Sequence, residues 1–75
     1  MKELIEYIVK SIVNVPDQVV ITEETVEESV LFKLQVAEED KGRVIGRQGR
    51  VAEAMRTLLR VKAAKLGTKA RLEIV

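Results

Sequence analysis

The chain has 75 residues, 47% of them apolar and 33% charged, with a formal net charge of +1; that is room for one domain, expected over residues 1–75, with enough apolar residues for a core. It contains no cysteine and no histidine, which excludes disulfides, Cys/His zinc centres and thiol or imidazole nucleophiles. No apolar run approaches the ~18 residues of a membrane span, and the first ten residues carry Glu3 and Glu6, unlike a secretory leader, so a cytoplasmic protein without a membrane partner is expected.

The small net charge conceals two opposed halves. Residues 1–40 hold three lysines against ten Asp or Glu, a net of −7; residues 41–75 hold ten Lys or Arg against two Glu, a net of +8. The basic half asks for an anionic partner. The alternative is that the halves compensate each other across the fold.

From Glu3 to Val13, Leu4, Ile5, Ile8, Val9 and Ile12 recur at helical spacing with Glu3, Glu6, Lys10 and Ser11 opposite, which predicts an amphipathic helix. Asn14 and Pro16 end it, because proline disfavours helical torsions in the residue before it. Val19–Glu23 is rich in β-branched residues and reads as a strand. Val30, Phe32, Leu34 and Val36 alternate with Leu31, Lys33 and Gln35, giving a second strand and an antiparallel hairpin. Glu38, Glu39 and Asp40 place negative charge before a short helix through Val44 and Ile45, which Gly46 stops. A further helix from about Gly49 to Leu66 is expected to bury Val51, Met55, Leu58, Leu59 and Leu66, with Glu53, Arg56 and Arg60 opposite and Gly67 as its C-cap. Ala70, Leu72 and Ile74 alternate with Arg71 and Glu73 in a last strand. The order is α-β-β-α-α-β, and the helical crossover makes the last two strands parallel. The expectation is an α+β fold: a three-stranded mixed sheet with three helices packed on one face.

The stretch Gly42–Arg50, GRVIGRQGR, holds three of the four glycines and three arginines. Two helices joined by Gly46-Arg47-Gln48-Gly49 leave a turn whose backbone is little shielded, and the helix that follows turns its N–H groups and positive end outward. Lys41, Arg43, Arg47 and Arg50 surround it. The combination suits phosphate, yet it lacks the Gly-Lys-Ser/Thr of a nucleotide-triphosphate loop and the Gly-x-Gly of a dinucleotide fingerprint. A phosphodiester chain remains. Tyr7 and Phe32 are the only aromatic residues, which argues against base-stacking platforms.

The segment RVIGRQGRVAEAMRTLLR resembles the K-homology (KH) motif, in which a GXXG loop between two helices clamps about four nucleotides. Two strands before the loop and one after it resemble the type II, prokaryotic arrangement, and the whole chain is similar in size and order to the minimal single-KH proteins of bacteria, the KhpA (YlqC-like) family. The resemblance implies a non-enzymatic module that binds single-stranded RNA, with single-stranded DNA open, acting as a post-transcriptional regulator or RNA chaperone. It also implies a partner KH protein of the Jag/KhpB kind, with a homodimer open. On this reading Gly46, Arg47, Gln48 and Gly49 form the clamp, Ile45, Val51 and Ala54 the apolar floor, and Lys41, Arg43 and Arg50 secondary phosphate contacts. Arg56 and Arg60 read as a solvated face or as partners of Glu53. The segment Glu23–Ser29, with four glutamates, is expected as a loop bordering the groove. No cofactor, metal site or catalytic residue is expected. The reading from another class is a KH-fold protein-interaction module with little RNA binding of its own.

Overall fold

The computed structural model describes residues 1–75. Helix α1 (Lys2–Ile12) is followed by a 3-10 turn (Pro16–Gln18), strands β1 (Val20–Val26) and β2 (Ser29–Gln35), a second 3-10 turn (Glu38–Asp40), helices α2 (Lys41–Ile45) and α3 (Arg50–Leu66) joined through Arg47–Gly49, and strand β3 (Lys69–Ile74). This is the expected α-β-β-α-α-β order. β2 is central: β1 pairs with it antiparallel from Val20↔Gln35 to Val26↔Ser29, and β3 pairs parallel from Ser29↔Lys69 to Leu34↔Ile74.

The alternation of β2 decides which side is dry. Phe32 and Leu34 are fully buried on the helix side, while Lys33 and Gln35 point outward. Ile5 and Val9, one turn apart on α1, close over this face with Ile21, Val44, Met55, Leu59 and Leu72. On the opposite face of the sheet Lys33 pairs with Glu24 across strands at 3.5 Å.

Two expectations are corrected. α3 buries Ala52, Met55, Leu59 and Ala63, while Leu58 and Leu66, expected inside, are exposed. The helix carries two apolar rows, and the row with two alanines lets α3 lie closest to the sheet. The acidic segment Glu23–Ser29 is mostly strand: β1 runs on to Val26 and only Glu27 and Glu28 turn, Glu27 in left-handed torsions (φ 54°). This turn is tied to the segment after α3, since the Thr68 hydroxyl and the Lys69 N–H both donate to the Glu28 carbonyl. It therefore sits at the C-terminal end of α3. The Gly46–Gly49 turn lies at the N-terminal end, about 25 Å away along a 17-residue helix, so the turn glutamates do not border it.

Asp40 does something other than lend charge to a helix end. Its carboxylate is completely buried, and its Oδ1 and Oδ2 accept the N–H groups of Asn14 and Val15, each at 3.0 Å. The loop leaving α1 is thereby stitched to the start of α2. Hydrogen bonds to a charged group are worth about 1.5–3 kcal/mol each, against about 4–11 kcal/mol for a domain this size. Asp40→Ala is expected to cost about 3 kcal/mol or more in urea unfolding, and Asp40→Asn nearly as much, because an amide offers only one acceptor oxygen to two donors. A loss below about 1 kcal/mol would remove Asp40 from this role.

Candidate nucleic-acid interface

The turn between α2 and α3 is built around Gly46. Its torsions (φ 77°, ψ 172°) lie in a region essentially reserved for glycine. A Cβ there would collide with Val51 Cγ2 and fall 2.9 Å from the Val51 backbone nitrogen. The Gly46 N–H closes α2 on the Gly42 carbonyl at 2.9 Å, and the Gly46 carbonyl accepts the Gly49 N–H at 3.1 Å. Gln48 (φ 57°) and Gly49 (φ 75°) then both take left-handed torsions. A Cβ at Gly49 would meet nothing within 4 Å. The first glycine is thus demanded by packing, the second by its torsions at an open surface.

No side chain caps α3; the Arg50 N–H donates back to the Arg47 carbonyl, and the positive end of the helix lies beside the turn. Arg43, Arg47, Gln48 and Arg50 are exposed around it. Arg50 Nη2 donates to Gln48 Oε1 at 3.4 Å, and none of Arg43, Arg47 and Arg50 forms an ion pair; Lys41 is held by Glu38 at 3.2 Å. Ile45 is exposed next to the turn and Val51 is half-buried against Gly46, so both adjoin it. Ala54 is exposed one turn further along α3, on the helix side away from Arg56 and Arg60.

A second feature was not legible as a site. α3 and β3 enclose an open groove lined by Arg56, Arg60, Arg71 and Glu73 above Leu59, Ala70 and Leu72. β3 is an edge strand, and the N–H groups of Lys69 and Val75 are turned toward β2, so Ala70, Leu72 and Ile74 direct theirs toward the groove. Arg56 Nε donates to the Leu72 carbonyl at 3.4 Å and its Nη1 meets Glu53 Oε1 at 3.1 Å; Arg60 Nη2 lies 3.9 Å from Glu53 Oε2. Arg71 joins the groove only through the sheet register, a relation no local spacing encodes.

The two oppositely charged halves do not neutralise each other. Of the six ion pairs only Lys41–Glu38 joins them, and it is local. Basic groups are left free at the turn, where Arg43, Arg47 and Arg50 have no carboxylate partner, and continue into the groove as Arg56 and Arg60, both engaged by Glu53. That surface can hold a chain of phosphates at one end and admit flat, partly apolar groups at the other.

The family model described as KhpA/KhpB, KH domain, matches residues 2–74. The RNA-binding protein KhpA of Clostridium acetobutylicum is 47% identical over 75 residues, the full length of both chains. That of Listeria monocytogenes is 52% identical over 75 residues, all of this chain and 99% of the relative, and that of Borreliella burgdorferi 47% identical over 73 residues, 97% and 89% of the two. No solved structure gives a significant match.

The two glycines should respond differently to the same change. Gly46→Ala is expected to destabilise the domain by about 3 kcal/mol or more, and Val51→Ala should not rescue it, because the backbone nitrogen remains in the way. Gly49→Ala should cost only about 1 kcal/mol of left-handed strain. Thermal melts of the three variants check this; equal losses at both glycines would refute the distinction.

Proposed function

Since the chain belongs to the KhpA/KhpB KH-domain family, whose members matched here are named RNA-binding proteins and not enzymes, we propose that residues 1–75 act as one type II KH module that clamps single-stranded RNA. The observation that carries this is the Gly46–Gly49 turn at the uncapped head of α3, ringed by three arginines without carboxylate partners. Phosphates approach the turn, where Gly49 leaves open space beside the positive end of α3; Arg47 and Arg50 supply charge, with Arg43 and Lys41 behind them. Bases then lie beside Ile45 and Val51 and along the groove between α3 and β3. Single-stranded DNA carries the same charge per phosphodiester and is the natural comparison ligand. Contact with about four nucleotides implies modest affinity, suited to a regulator or RNA chaperone that gains strength by pairing.

Exposed apolar side chains favour a protein partner as well. Ala54, Leu58 and Val61 repeat at i, i+4 and i+7 on α3, with Leu58 46% and Val61 53% exposed, and this row faces away from the groove. It is suited to a second copy of the chain or to a KH protein of the KhpB kind, leaving both RNA sites open and raising avidity.

Substitution at Gly46 would confuse folding with binding, so the test of the clamp uses charge. Arg47→Glu with Arg50→Glu is expected to abolish binding of a short single-stranded RNA while leaving the circular dichroism spectrum unchanged. Wild-type binding should fall with a log–log salt slope of about −2, roughly −0.7 per contact, and Arg47→Ala should make it shallower by about 0.7. Undiminished binding by the folded double variant would discard the site. For the partner face, Leu58→Glu with Val61→Glu should abolish self-association or KhpB-type pairing in sedimentation velocity and leave single-site RNA affinity intact; sedimentation identical to wild type would remove that face.

A further inference from the structure

Only two acidic residues occur in the basic half, Glu53 and Glu73, and both lie among the groove arginines. Glu73 lines the groove beside Arg56, Arg60 and Arg71. Glu53 goes further: one of its oxygens meets Arg56 Nη1 at 3.1 Å and the other lies 3.9 Å from Arg60 Nη2. A single carboxylate thus engages both groove guanidinia of α3. The Glu53 side chain is 63% exposed, so it is within reach of any strand leaving the turn at the head of the same helix.

We infer that Glu53 is an affinity-setting residue of the RNA site, an internal competitor that occupies Arg56 and Arg60 in place of phosphate. This rests on the RNA-clamp reading. A strand held at the turn can use either arginine as a phosphate contact only by displacing the carboxylate, and the carboxylate repels a phosphate brought to the same place. The backbone of the strand is therefore confined to the turn, where Arg43, Arg47 and Arg50 are free, and the groove receives base edges. Arg56 stays anchored in either case, since its Nε bonds to the Leu72 carbonyl at 3.4 Å. Glu53 also stands in the first turn of α3, where a carboxylate favours the positive helix end. That role alone affects stability and predicts nothing about salt.

The test compares wild type, Glu53→Gln and Glu6→Gln, the last removing the same charge from α1 beside Lys10. Binding of a short single-stranded RNA is followed by fluorescence anisotropy from low to high salt. Glu53→Gln is expected to bind about three- to tenfold tighter at low salt, as two exposed pairs would allow. Its salt slope should be steeper by about 0.7–1.4, one or two added phosphate contacts. Glu6→Gln should match wild type. Unchanged or weaker binding by Glu53→Gln overturns the inference, as does equal tightening by Glu6→Gln, which would reduce the effect to net charge. Wild type that binds no RNA, or binds equally with Arg47 and Arg50 reversed to Glu, would overturn the clamp itself and this inference with it.

Discussion

Gly46 passes so close to Val51 that no side chain fits between them, and the geometry of the basic half depends on that contact. It lets α2 end and α3 begin within four residues, with the turn's backbone outermost. It also sets the line of α3, which must run far enough for β3 to return alongside β2 in parallel register. A larger residue would open the joint between the helices, and both the turn and the groove beside β3 would change shape. Asp40 works on the same element from its other end, binding the start of α2 to the loop that leaves α1. A five-residue helix has almost no stability of its own. Here it is held at one end by a buried carboxylate and at the other by a glycine contact.

The fold uses charge by separating it. Four glutamates lie on β1 and its turn at the C-terminal end of α3, whereas the free arginines gather at the helix head. An exposed pair contributes at most about 1 kcal/mol, so leaving Arg43, Arg47 and Arg50 unpaired costs the folded state little. It keeps three unpaired cations together at the surface. In the groove, Glu53 and Glu73 moderate the same field. The chain is nearly neutral as a whole and markedly basic in one place.

The exposed row Ala54, Leu58 and Val61 and the buried row Ala52, Met55, Leu59 and Ala63 lie on different sides of one helix. α3 is therefore apolar on more than one face, and only one of these faces is covered within the chain.

Much of this was legible in the amino-acid order because it is local. Alternation in Val30–Val36, helical spacing in α1, the proline at position 16 and the paired glycines each act through their neighbours, and they yielded the element order, the mixed sheet and the turn. Local pattern failed where two answers were equally apolar: Leu58 and Leu66 look as buriable as Met55, and only the close approach of α3 to the sheet selects the alanine row. It failed also for Glu23–Val26, where β-branched Thr25 and Val26 keep the strand going through glutamates that suggest a loop. The fate of Asp40 and the meeting of Arg56 with the Leu72 carbonyl join residues 16 to 26 positions apart in sequence, and Arg71 and Glu73 reach the side of α3 only through the pairing of β3 with β2. Such partners are chosen by register and helix placement, which exist only once the chain has folded.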